Sequence, residues 1–150
     1  MIRLSNAVAT SSSVASIGVA AHECGHAVQH ATHYTPLVFR NAIIPITNFG
    51  SKLSIPLFLL GILFNYPPIT DIGLLLFTLA AVFQLITLPV EFNASSRALA
   101  TLENGNYLDT DELRGAGRVL KAAALTYVAA LVTTLAQLLR LFLISRDRRD

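Results

Sequence analysis

Nineteen consecutive residues without a charge, Ile72 to Val90, constrain this 150-residue chain more than any other feature. As a helix the run rises about 29 Å, enough with its flanks to cross a hydrocarbon core about 30 Å thick. A second uncharged run, Ala122 to Leu139, is eighteen residues long. The chain is 53% hydrophobic and 13% charged, with a mean hydropathy of +0.58, which excludes an ordinary water-soluble domain. Both runs are therefore expected membrane spans. Ile55 to Phe64 is shorter, ten residues or about 15 Å of helix. It spans only by recruiting residues from Asn41 onward past Lys52, and otherwise reads as a re-entrant or core helix. The segment Asn65-Tyr66-Pro67-Pro68-Ile69-Thr70-Asp71 is rich in turn formers, as a link between two antiparallel membrane helices requires.

Near the N-terminus, His22-Glu23-Cys24-Gly25-His26 forms an HExxH motif inside an apolar helical run. Two histidines four apart on a helix rise only about 6 Å and point the same way, so both imidazoles can reach one Zn²⁺. Glu23 is then placed as general base toward a zinc-activated water. The competing reading is coincidence, since HExxH fixes three positions and also occurs in helices whose histidines are surface or core residues. A third ligand decides between them. His30 lies eight residues past His22, about 12 Å along the helix, too far to share a tetrahedral metal. The metzincin pattern is excluded because Gln29 and Thr32 stand where it needs Gly and His. Cys24 points away from the histidine stripe and suits helix packing, while Gly25 lets a neighbouring helix approach closely. As the single cysteine of the chain it forms no internal disulfide.

Glu91 is the candidate third ligand, the only carboxylate between Asp71 and Glu103. The competing reading is a helix-start residue after Pro89, favoured there by the macrodipole. If His22 and Glu91 share a metal at one membrane face, an even number of crossings must separate them, so the zinc reading requires a membrane hairpin. Beyond Glu91, a helix is expected to stop at Asn104-Gly105-Asn106, and Asp109 with Glu112 forms a capping box opening the last helix. Arg97 points about 120° away from Glu91 and is expected to pair with a headgroup or an acidic side chain. His30, His33, Tyr34 and Arg97 are all candidates for the group that faces a reacting carbonyl oxygen.

The blocks GVAAHECGHAVQ, LPVEFNASSRALATL and VLKAAALTYVAAL, in that order, resemble the neutral zinc membrane metallopeptidases of the YugP type over nearly the whole chain. The resemblance implies an all-α integral membrane helical bundle with a zincin-type HExxH helix. By it His22, His26 and Glu91 match the zinc ligands and Glu23 the catalytic base. It implies one metallopeptidase domain over residues 1–150: a motif helix at about 12–32, a hairpin at about 48–90, a Glu-bearing helix at about 90–103 and a membrane helix at about 110–145. A weaker similarity relates EFNAS to the ExxxD element of HtpX-like proteases, whose acid supports a ligand histidine; Ser95 stands at that position here. Members of the family look longer at the N-terminus, so the chain resembles a shortened member.

The resulting expectation is a zinc-dependent membrane endopeptidase acting on peptide or membrane-protein substrates. The alternative is a non-enzymatic membrane scaffold, or a catalytically impaired homologue with a structural or vestigial zinc site. Arg3, Arg40, Lys52, Arg97, Arg114, Arg118 and Lys121 on the motif side, against Arg140, Arg146, Arg148 and Arg149, favour a cytoplasmic active site in the cell membrane. A net charge of +2 and a pI near 9.0 suit contact with anionic lipid, and no motif points to nucleic acid.

Overall fold

The computed structural model describes residues 2–147, which form five helices and, among the described residues, no strand. They are α1 (Asn6–Ala9), α2 (Val14–Ala31), α3 (Thr35–Leu63), α4 (Pro67–Asn104) and α5 (Thr110–Asp147). Of these, α3, α4 and α5 are long and apolar enough to cross a membrane.

Local chemistry sets the helix ends. Ser13 caps α2, its hydroxyl accepting the Ser16 N–H at 3.2 Å. At the start of α5, Asp109 Oδ1 accepts the N–H groups of Asp111 and Glu112 at 2.9 and 2.8 Å. Glu112 Oε2 accepts the Asp109 N–H in return, the capping box expected there. The turns after α2, α3 and α4 share one construction: His33, Asn65 and Asn106 take φ of 49°, 50° and 50°. In each turn the following tyrosine returns its N–H to a helix carbonyl, Tyr34 to Gln29, Tyr66 to Gly61 and Tyr107 to Leu102. Thus Asn106, rather than the adjacent Gly105, supplies the left-handed residue that ends the helix of Glu91.

One expected boundary moves. α3 begins at Thr35, not near residue 48, so the short Ile55 to Phe64 run is the end of a 29-residue helix. α4 runs unbroken for 38 residues, through Pro89 and past Glu91 to Asn104. A proline removes one backbone donor, a loss that apolar helices flanked by other helices tolerate. Glu91 is therefore a mid-helix residue, and the helix-start reading of it is set aside.

The chain divides into two compact units. The first comprises residues up to Val38 with Thr87–Tyr127. Its core is built on every-fourth-residue stripes: Val90, Ala94, Ala98 and Leu102 of α4, and Ala116, Leu120 and Ala124 of α5, all buried. Small residues on these stripes let backbones approach closely. A Cβ added to Gly25 of α2 would collide with the Ala94 carbonyl oxygen, so α2 meets α4 at a contact only glycine allows. Gln29 of α2 reaches the Val90 carbonyl, four residues earlier on α4, so α2 and α4 run antiparallel.

The second unit comprises Phe39–Ile86 and the residues from Val128 on. Here α3 and α4 form an antiparallel hairpin, with Gly61 against Thr70 and Gly73 against Ser54 and Phe58. Phe58 and Ser54 are fully buried, whereas Phe49, Leu63, Leu75 and Leu139 are more than half exposed, an apolar exterior suited to lipid. Hydroxyls in this unit fold back onto their own helices: Thr47 donates to the Ile43 carbonyl and Thr78 to that of Leu74, both at 2.9 Å.

Candidate metal centre

The first unit brings together three side chains from two helices. His22 and His26 are one turn apart on α2, and Glu91 faces them from α4. His22 Nε2 lies 3.2 Å and His26 Nε2 3.5 Å from the same oxygen, Glu91 Oε2. One donor atom from each residue falls within 4.8 Å of the others, the single such group of His, Cys, Asp or Glu among the described residues. The imidazoles stand edge to face, with centroids 4.6 Å apart. Glu91 is 3% exposed, which fixes its carboxylate against the two rings.

These donors fit a zinc ion. With zinc–nitrogen and zinc–oxygen bonds of about 2.0–2.1 Å, tetrahedral ligand atoms stand about 3.3 Å apart, close to the two separations found. Two imidazoles and one carboxylate also leave a fourth position open, as catalytic zinc sites do. His26 stands above the ordinary histidine value of 6.5 because it hydrogen-bonds the Glu91 carboxylate, while its burial works the other way. A cation is favoured where the His26 proton sits.

The outer nitrogens of both rings are held as well. His22 Nδ1 lies 3.0 Å from Ser95 Oγ, and His26 Nδ1 lies 2.9 Å from Gln29 Oε1. Since an amide oxygen only accepts, the hydrogen on His26 Nδ1 goes to Gln29, and Nε2 is left as the ring atom that donates to Glu91 or, without its proton, binds a metal. Gln29 is fully buried and held in turn, its Nε2 donating to the Val90 carbonyl at 2.8 Å and to Asn93 Oδ1 at 3.0 Å. Arg97 Nε donates to that same Asn93 oxygen at 2.8 Å, and its guanidinium lies 6.0 Å from the centre of the Tyr34 ring. Arg97 thus completes a polar chain behind His26, where an acidic or headgroup partner was expected.

The remaining sequence candidates fall into place. Ser95 supports His22 with a hydroxyl at the position where the weaker resemblance has a carboxylate. Gln29, which served only to exclude the metzincin pattern, is the support for His26 that sequence reasoning missed. Its signal was a polar residue three positions after His26, on the same helix face. His30 and His33 are exposed, and Cys24 is exposed rather than packed. Glu23 lines the same pocket as His22, His26 and Glu91, a cavity of about 200 Å³ completed by Val19, Ser95, Leu120, Ala123, Ala124 and Tyr127.

Gln29→Leu should keep the helix but strip His26 of its orienting acceptor. The expected result is a 10- to 100-fold loss of zinc affinity by competition titration, the usual cost of removing such a support. Unchanged affinity would show that His26 needs no orientation from Gln29.

Comparison with known proteins adds a family. The family model described as "Putative neutral zinc metallopeptidase" matches residues 1–146. "Putative membrane protease YugP" of Bacillus subtilis (strain 168) is 46% identical over 150 residues, a match covering 100% of this chain and 67% of the relative. No solved structure matches the chain.

Proposed function

Because the chain belongs to this neutral zinc metallopeptidase family, we propose that it is a zinc-dependent endopeptidase of the cell membrane, cleaving peptide or membrane-protein substrates. The observation that carries the reading is the convergence of His22 Nε2 and His26 Nε2 on one Glu91 oxygen, at 3.2 and 3.5 Å, in a pocket that Glu23 also lines. His22, His26 and Glu91 hold the metal in this reading, and Glu23 is the catalytic base.

Bound zinc supplies a Lewis acid that lowers the pKa of water toward about 7 and polarises a carbonyl. The protein does the rest. Ser95 and Gln29 hold the two rings so that their Nε2 lone pairs face the ion. Glu23, adjacent to His22 in sequence, takes a proton from the attacking water as its oxygen bonds to the scissile carbonyl carbon. When the carbon–nitrogen bond breaks, Glu23 delivers that proton to the leaving amine. The buried apolar side chains Leu120 and Ala124 keep bulk water from one wall of the pocket.

We place the site on the cytoplasmic side, following Arg3, Arg40, Arg97, Arg114, Arg118 and Lys121 on the motif side of the spans; Lys52, counted with them from the sequence, lies within α3. The full chain in a lipid bilayer should cleave peptides, lose that activity to a chelator and regain it with added zinc. Tight zinc uptake without cleavage of any peptide would instead favour a structural metal in a scaffold.

A further inference from the structure

One wall of the pocket has no part in holding metal or moving protons. It is a single face of α5, formed by Leu120, Ala123, Ala124 and Tyr127 at spacings of three and four, with Val19 of α2 beside it. Leu120 and Ala124 are buried at 3% and 4% exposure and close the inner end. Ala123 is exposed and Tyr127 is 41% exposed, so the outer end is open. Two alanines at the centre of the face leave space where larger residues would fill it. The cavity of about 200 Å³, which the metal donors also line, exceeds the roughly 150 Å³ apolar cavity that accepts benzene, so it has room for an apolar side chain beside the metal site.

Resting on the peptidase reading above, we propose that this α5 face is the pocket for a substrate side chain flanking the scissile bond, and that it selects large apolar residues such as leucine and phenylalanine. Leu120, Ala124 and Val19 offer no hydrogen-bonding side chain, so a charged or amide side chain pushed against them loses its water without recompense. The carboxylates and imidazoles that line the pocket come from α2 and α4, each with a role in the metal centre or in proton transfer. An aliphatic or aromatic side chain buries its surface at no such cost. Ala123 and Ala124 are the residues that set its size, and the open edge at Ala123 and Tyr127 is where the side chain enters.

The test uses the full-length chain in lipid nanodiscs and a peptide series in which one residue beside the cleaved bond is Gly, Ala, Leu, Phe, Lys or Asp. The wild type should favour Leu and Phe over Ala by about 10- to 100-fold in kcat/KM. Ala123→Leu, a change at an exposed helix position, fills the pocket and should reduce that ratio to within about threefold of unity, against the full factor without it. A second reading follows binding alone: fluorescence anisotropy of the labelled Leu and Ala peptides on the Glu23→Gln chain should show the same preference, removed when Ala123→Leu is added.

A wild type that cleaves all six peptides alike, or prefers Lys or Asp, overturns the proposal. So does an Ala123→Leu chain that lowers every peptide by the same factor, or a chain that neither binds nor cleaves selectively. Selective binding of Leu and Phe peptides without cleavage by the wild type supports the pocket and overturns the peptidase reading instead.

Discussion

Glu23→Gln should leave the zinc content of the purified chain unchanged while lowering kcat by about 10²- to 10⁴-fold, the usual contribution of a positioned acid–base group. Glutamine keeps the size and polarity of the side chain but accepts no proton at neutral pH. Glu23 is not among the three converging donors, so the metal centre loses nothing by the change. The paired measurement is metal analysis alongside peptide cleavage on the same preparation. Cleavage that survives the substitution would remove Glu23 from the proposed mechanism, and zinc lost with it would make Glu23 a ligand instead.

Glu91→Gln is the second large effect, and it acts on the metal first. Glutamine fills the same space inside the first unit, so the Val90, Ala94 and Ala98 contacts beside it are kept. The charge opposite the two imidazoles is lost. Removal of a mere support costs 10- to 100-fold, so loss of a direct carboxylate ligand should weaken zinc by more than about 100-fold. Circular dichroism on the same samples should show unchanged helix content. Affinity within a few-fold of the wild type would mean that the buried carboxylate pairs with the histidines for stability alone.

The sequence carried the motif helix and its partner unequally. HExxH was legible because helical spacing is a local property, and α2 places His22 and His26 on one face as that spacing requires. Glu91 was legible for another reason, as a lone carboxylate in an apolar segment, a position that is costly without a partner. Its helix left a second reading open: Pro89 also suits a first turn, and only packing against neighbours shows that α4 continues through it. Gln29 escaped because its role depends on α4 arriving with the Val90 carbonyl and Asn93 in place, a long-range fact no local pattern encodes.

The same holds for the α5 wall. Leu120, Ala123, Ala124 and Tyr127 read as ordinary positions of an apolar helix until α5 lies beside α2 and α4. Turn chemistry shows a milder version of the problem. Gly105 is the obvious helix terminator, yet Asn106 takes the left-handed conformation, because asparagine tolerates φ near 50° and the following Tyr107 closes the hydrogen bond to Leu102. Where a feature rests on one helix, spacing suffices; where it rests on two, geometry is needed.

X-ray absorption at the zinc edge of the loaded chain is the most direct test of the central claim. The account predicts only nitrogen and oxygen neighbours at about 2.0–2.1 Å, with the multiple-scattering pattern of two imidazoles, and loss of one oxygen neighbour in Glu91→Gln. A thiolate sulfur neighbour at about 2.3 Å, for which Cys24 is the single cysteine, or fewer than two imidazoles, would contradict it.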